Sequence, residues 1–229
     1  MKRVLSIFLK YYLFWFGYFI LFKILFLLSN FGNTLALGWK NLFGVFIHGS
    51  LMDLSTAGYF TLFPGLLLVF VSLIKPIKIR QVINGYTLVL LIVVTFLGFI
   101  DIATYPFWGS RLNAQILPYL ANPAGMIATV NAWQLMLFIA AEVCVVFLSF
   151  WVYLKIMLKK PIDEKRLKWY VSPVILIITA ALIIPIRGGF NTSPLNFSSV
   201  YFSQNLYANH SAYNFFWSFN HAVLHNSVK

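Results

Sequence analysis

The chain has 229 residues, of which 61% are hydrophobic and 10% are charged, and its net charge is +12. Soluble domains contain roughly 45–50% apolar and about 25% charged residues, so this composition excludes an ordinary soluble domain and indicates an integral membrane protein. The basic residues cluster beside long apolar runs, which favours a role in membrane topology over nucleic-acid binding. We therefore predict an all-α membrane protein with no nucleic-acid partner.

Five apolar runs are candidates for transmembrane helices, since a span takes about 20 mostly apolar residues. In chain order they are residues 4–28, 59–74, 82–102, 133–157 and 169–186. The first run is too long for the apolar part of a signal peptide and lacks a small-residue cleavage site. Within it, Lys10 and Lys23 are predicted to extend toward opposite membrane surfaces.

Residues 34–51 are apolar enough to suggest a sixth span, but they contain Lys40, His48 and several glycines. With five spans, most of the 17 basic residues lie on the side of the N-terminus, in clusters at residues 2–10, 75–80 and 155–168. A sixth span would move the last two clusters outside, against the positive-inside rule. We therefore predict that residues 34–51 form an interfacial or re-entrant helix on the outer side. The N-terminus is then cytoplasmic and the C-terminus is outside.

Five charged side chains stand apart from the basic clusters: Asp53, Asp101, Arg111, Glu142 and Arg187. A charge at bilayer depth costs a few kcal/mol or more, so such groups usually pair or bind a ligand. The predicted topology puts four of them at the outer face, with Glu142 about 15 Å inside the fourth span. We predict one pocket, open to the outer leaflet, that binds the head group of an anionic lipid.

Each of these residues also has a structural interpretation. Asp101 and Arg187 suit an ion pair at the membrane surface, Arg111 suits a solvated loop, and Asp53 suits an N-cap of the second span. Glu142 suits a structural partner within the bundle. No metal site is predicted, because His221 and His225 share a helical spacing without an accompanying acid or cysteine. The lone Cys144 is predicted to be an inert packing residue.

From about residue 190 the chain is richer in Ser, Asn and His and contains no span. We therefore predict a five-helix transmembrane domain at residues 1–189 and an extracytoplasmic linker at residues 190–229. This linker is expected to pack on the membrane surface.

Several short motifs resemble a known family: the five-span layout, the loop Asp101…Tyr105…Arg111-Leu112, the following Tyr119-Leu120, and Arg187-Gly188-Gly189 before an Asn- and aromatic-rich tail. Together they are similar to the membrane half of the lipoteichoic-acid-synthase-like phosphoglycerol transferases, of the sulfatase and alkaline phosphatase superfamily. The resemblance implies a bacterial cytoplasmic membrane. It also implies an extracytoplasmic domain with a threonine nucleophile and a Mn²⁺ or Mg²⁺ ion.

That catalytic domain has no counterpart in the sequence, so no catalytic residue and no cofactor are assigned to this chain. The expected function is to anchor such a domain and to present phosphatidylglycerol or a related anionic lipid at the outer leaflet. Two alternatives stay open. One is a small transporter or channel component that uses Glu142, although no inverted repeat is evident. The other is a non-catalytic membrane scaffold.

Overall fold

The computed structural model describes residues 2–73, 78–122, 124–125, 131–158 and 171–226. Regular structure in these ranges is entirely helical, which confirms the predicted all-α class. The long helices are α1 (Lys2–Ser29), α3 (Gly38–Leu73), α4 (Ile79–Trp108) and α6 (Ala132–Leu158). The shorter helices are α2 (Phe31–Ala36), α5 (Leu117–Ala121), α7 (Ser172–Ala181), α8 (Ile183–Arg187), α9 (Leu206–Ala212) and α10 (Phe215–Asn226), with 3₁₀ turns at Ala114–Ile116 and Phe197–Val200.

Four of these helices are long and apolar enough to cross a membrane, as expected for a multi-pass membrane protein. Their spanning segments are Leu5–Ser29, Gly38–Val71, Ile79–Trp108 and Ala132–Met157. The fifth predicted span, residues 169–186, corresponds to the shorter apolar segment Ser172–Arg187, and residues 169–170 lie outside the described ranges. The number of five spans therefore remains a prediction.

Helix α3 differs from the prediction. The expected interfacial helix at residues 34–51 and the expected second span at residues 59–74 are largely one continuous helix of 36 residues. The chain instead changes direction at the first residue of α3, Gly38, whose positive φ of 67° suits glycine. At 1.5 Å per residue α3 is about 54 Å long, so it extends well beyond the ~30 Å hydrocarbon core. Residue 74 lies outside the described ranges.

Side-chain pairs define the relative direction of α1 and its neighbours. The hydroxyl groups of Tyr11 and Thr87 are 3.0 Å apart, and those of Tyr18 and Thr95 are 2.6 Å apart. Residue numbers rise together in these pairs, so α1 and α4 run parallel. The rings of Trp15 and Phe60 lie 4.7 Å apart. Together with the ion pair between Lys23 and Asp53, this contact shows that α3 runs antiparallel to α1.

The remaining helices continue the alternation of direction along the chain. Tyr153 near the end of α6 donates a hydrogen bond to Asn84 near the start of α4, so these helices are antiparallel. Ser55 of α3 donates to the carbonyl oxygen of Ile186 at the end of α8. The ends of α1, α4 and α8 therefore lie together with the starts of α3 and α6. We call this the upper end of the bundle; it is the end that the topology prediction places outside the cell.

The core near the upper end is aromatic and includes the tail. Phe215 of α10 is buried, and its ring lies 5.2 Å from the ring of Phe22. Both rings press against Gly98 of α4, where a Cβ would overlap Phe22 and come within 3.0 Å of Phe215. The predicted linker thus packs into the bundle along much of its length, and Gly98 provides the space for it.

A single methyl group at Gly98 is expected to destabilise the fold. Gly98→Ala forces apart two buried rings, which costs about 1–3 kcal/mol by overpacking. Gly85→Ala on the same helix is the matched control, since a Cβ there meets no described atom within 4 Å. Helix propensity alone should make that control neutral or stabilising. Thermal unfolding in detergent, followed by tryptophan fluorescence, measures the difference; equal midpoints would contradict the packing argument.

Reporter fusions test the membrane orientation. The end of the bundle opposite the upper end carries most of the basic residues, so the positive-inside rule places it in the cytoplasm. A fusion at Lys78 is therefore expected to lie in the cytoplasm, and fusions at Asn113 and Asn191 outside the cell. The Asn113 fusion serves as an internal check, since α4 and α8 end on the same side. A reversal of all three would overturn the orientation, whereas Lys78 and Asn191 on one side would contradict the alternating helix order.

Candidate functional site

A buried ion pair joins α1 to α3 near the upper end. Lys23 Nζ lies 2.7 Å from Asp53 Oδ2, and both side chains are only 2% exposed. The same lysine donates to the carbonyl oxygen of Ala212 at 3.1 Å, and Asn214 Nδ2 donates to Asp53 Oδ1 at 2.9 Å. The prediction that Lys23 extends to a membrane surface is therefore wrong, because its partners lie inside the bundle.

A second buried ion pair fastens the loop after α4. Arg111 Nε lies 2.9 Å from Asp101 Oδ2, a Coulombic contact without hydrogen-bond geometry. The backbone N–H of Leu112 donates to Asp101 Oδ1 at 2.7 Å. The guanidinium also lies 4.0 Å above the ring of Phe26, a cation–π contact. Its Nη1 donates to the carbonyl oxygen of His210 at 3.4 Å, so this pair also reaches the tail.

Both ion pairs hold helix α9 of the tail by backbone carbonyl groups. Lys23 binds Ala212 and Arg111 binds His210, two residues apart. The hydroxyl of Tyr105 lies 3.2 Å from His210 Nδ1. Burial, and then the nearby charge of Arg111, lower the pKa of His210, so its imidazole is neutral at pH 7. The tail is thus held at the upper end by charged groups that come from α1 and from the α4 loop.

Arg187 stands apart from these pairs. It ends α8, its side chain is exposed, and Nη2 donates to the carbonyl oxygen of Thr192 at 2.7 Å. Gly188 and Gly189 follow with φ of 86° and 114°, which turns the chain away from the helix. The described residues show no ion pair between Arg187 and either buried aspartate. The surface ion pair considered for Asp101 and Arg187 is therefore not formed; Asp101 pairs with Arg111.

Glu142 also lies apart, on α6. Both carboxylate oxygens are buried and have no hydrogen-bond partner among the described residues. The carboxylate lies close enough to Tyr18 for a Coulombic interaction, so it faces α1 across the bundle. Cys144, two residues further on, is exposed rather than buried.

The five predicted site residues are therefore not one pocket in this structure. Asp101 and Arg111 pair directly, and Asp53 lies with Lys23 beside them. Arg187 and Glu142 occupy other places. Sequence reasoning missed Lys23 as the partner of Asp53, although both stand within apolar runs, and it predicted no contact of Asn214 or His210 with these charges. Among the described residues, no group of three or more His, Cys, Asp or Glu side chains is placed to hold a metal ion.

Comparisons of the chain with protein-family models, with curated proteins and with solved structures found no match. The fold defines the class as a multi-pass helical membrane protein with its tail packed into the bundle.

Breaking one buried pair should be strongly destabilising. Lys23→Met leaves the Asp53 carboxylate buried and uncompensated, which costs about 3–5 kcal/mol, whereas the double variant Lys23→Met/Asp53→Leu should recover much of that loss. Lys40→Met, at an exposed lysine of α3, is the control and should be near neutral. Unfolding free energies in mixed detergent micelles give the comparison. If Lys23→Met costs no more than Lys40→Met, the pair does not stabilise the fold.

Proposed function

We propose that this chain is the membrane-anchoring and lipid-presenting part of a phosphoglycerol-transferase-like enzyme of the lipoteichoic-acid-synthase type. It acts on phosphatidylglycerol or a related anionic lipid at the outer leaflet of a bacterial cytoplasmic membrane. The sequence motifs described above suggest the family. The observation that carries the proposal is the attachment of the tail, residues 188–226, to the upper end of the bundle.

A tail held in this way favours anchoring over flexible tethering. Asn214 and Ala212 bind the Asp53–Lys23 pair, and Phe215 is buried between α1 and α4. A catalytic domain joined to this tail would therefore have a restricted position above the membrane. Restricting the position of a reactive group relative to its substrate is an efficient way to promote a reaction between them.

Among the predicted lipid ligands, Arg187 is the accessible cation. Arg111 is 4% exposed and its charge is already paired with Asp101, so it orders the loop rather than binding a lipid. Arg187 has five N–H donors and one described hydrogen bond. Its planar guanidinium can bind a phosphate through two parallel hydrogen bonds. Phe190, which is 89% exposed three residues later, suits insertion at the membrane interface.

The remaining candidates take indirect parts. Asp101 and Asp53 hold the loop and the tail in place through their cationic partners. The Mn²⁺ or Mg²⁺ ion that the family resemblance implies would belong to the catalytic domain. We assign none of its ligands to the described residues, which contain no suitable cluster of His, Cys, Asp or Glu.

Removing the exposed arginine should weaken lipid selectivity. Arg187→Ala is expected to reduce phosphatidylglycerol binding about fivefold, because one basic group near an anionic surface contributes roughly 1 kcal/mol. Phosphatidylcholine binding should not change. Native mass spectrometry of the detergent-purified chain, titrated with each lipid, gives the measurement. Arg187→Lys should keep part of the effect, and Lys40→Ala is the control for an exposed cation elsewhere on the upper end. Equal binding by Arg187→Ala and Lys40→Ala would contradict a lipid contact at Arg187.

A further inference from the structure

A pocket between α3 and α10 lies outside the ion-pair cluster. Its volume is about 340 Å³, within the range of roughly 300–1,000 Å³ typical of small-molecule sites. We call it the α3–α10 pocket and define it by six lining residues: Thr56, Tyr59, Trp217, Asn220, His221 and His225. It combines an indole, a phenol and two imidazoles with an amide and a hydroxyl group.

The pocket opens sideways in the upper half of the bundle. Thr56 and Tyr59 lie three and six residues beyond Asp53, which is about 5–9 Å further down α3. Tyr59 and Leu224 at its rim are exposed, so the opening has an apolar border. A ligand in this place has its polar part near the membrane surface and an apolar path beside it, which matches an amphiphile.

Arg187 lies near the same side of the bundle. Ser55 donates to the carbonyl oxygen of Ile186, and Gly58 also contacts Ile186, whereas Thr56 and Tyr59 line the pocket. At 100° per residue these two sets occupy adjacent faces of α3. The end of α8 and the α3–α10 pocket therefore both lie against α3, on adjacent faces of that helix.

The imidazole groups are held in place by aromatic contacts. The ring of His221 stacks on Trp217 at 5.4 Å and lies 4.1 Å from the ring of His225. Phe197 meets His221 edge-on at 4.8 Å. Two adjacent imidazoles place several ring nitrogens at one side of the pocket, the kind of polar feature that gives an otherwise apolar pocket its specificity.

The lack of acidic residues among the described lining residues of the pocket favours an anionic ligand over a cationic one. Its lining residues include no aspartate or glutamate, and Asp53, the acid nearest along α3, is already bound by Lys23 and Asn214. A cationic ligand would therefore lack a counter-charge. Two histidines without a third ligand among the described residues also make a poor metal site.

The protonation state of His221 is coupled to the binding of an anionic ligand. Burial, and then the neighbouring His225, lower the pKa of His221, so its imidazole is neutral at pH 7. The other groups that face His221 are His225 on its own helix, Tyr59 from α3 and the ring of Phe197 from the 3₁₀ turn. A bound anion favours the protonated imidazole, so anion binding and proton uptake are coupled.

We propose that the α3–α10 pocket binds the phosphate-ester head group of an anionic phospholipid, with His221 and His225 donating hydrogen bonds and Arg187 supplying a neighbouring positive charge. This inference rests on the proposed function and names the place where the lipid is held. The glycerol and ester groups of the lipid face Asn220 and Tyr59, and the acyl chains leave the pocket past the apolar rim.

The test uses the detergent-purified chain with a short-chain phosphatidylglycerol, the matching phosphatidylcholine, and soluble glycerol phosphate as separate probes. The variant is His221→Phe/His225→Phe, which keeps aromatic rings but removes the N–H donors. His48→Phe is the matched control, since His48 is exposed on α3 outside the pocket and stacks on Phe202. The thermal midpoint of each variant establishes that it is folded, and His221→Gln/His225→Gln provides a second, polar form if the first does not fold.

We expect phosphatidylglycerol to bind the wild-type chain several-fold more tightly at about pH 6 than at about pH 8, because a bound phosphate group favours the protonated imidazole and binding therefore takes up a proton. The double histidine variant should lose about tenfold in affinity and this pH dependence, whereas His48→Phe should keep both. Soluble glycerol phosphate should bind much more weakly, since it lacks the apolar contacts.

Different results overturn different claims. Unchanged phosphatidylglycerol binding in the double histidine variant, with a loss in Arg187→Ala, would overturn the pocket and leave the proposed function intact. Equal binding of phosphatidylglycerol and phosphatidylcholine by the wild-type chain would overturn the proposed function and the pocket together. Glycerol phosphate binding as tight as that of the lipid would overturn the assignment to a phospholipid.

Discussion

The upper end of the bundle depends on the pairing of four charges that have no access to water. Moving an ion out of water costs several kcal/mol even after relaxation, and the cost is offset only when a counter-charge and hydrogen bonds are both present. Lys23 and Asp53 meet this condition with help from Ala212 and Asn214. The Asp101–Arg111 pair meets it with the loop backbone and His210. Without the tail, both pairs would lose partners.

This dependence makes the tail part of the transmembrane fold. Helices α9 and α10 supply carbonyl groups, an amide side chain and a buried phenylalanine to the bundle. The bundle in turn gives the tail a fixed conformation, because a segment of about 40 residues can rarely bury enough of its own surface to fold alone. The same arrangement explains why Arg111 and Arg187 have different roles. Arg111 is used to hold structure, and Arg187 remains available at the surface.

Helix α6 is less buried than the other three long helices. None of the residues in its most apolar window is buried, in contrast to about half of those in the other three spans. Its outward face is apolar and suited to lipid. Glu142 turns toward the bundle, but the described residues give neither of its oxygens a hydrogen-bond partner, whereas Asp53 and Asp101 each pair with a basic residue. The lack of such a partner among the described residues distinguishes Glu142 from the two aspartates, which hold the tail and the loop in place through their cationic partners.

Composition and hydropathy alone predicted the helical membrane class and the alternating order of the long helices. These properties follow from the bilayer, which requires long apolar helices and penalises isolated charge. The same penalty indicated that Asp53 and Asp101 need partners. The identity of the partners, the continuity of α3 from residue 38 to residue 73 and the burial of Phe215 were decided only in the tertiary structure. They depend on the rotation and register of packed helices, and on a tail that lies 99 or more residues away in sequence from the side chains it contacts in the two ion pairs.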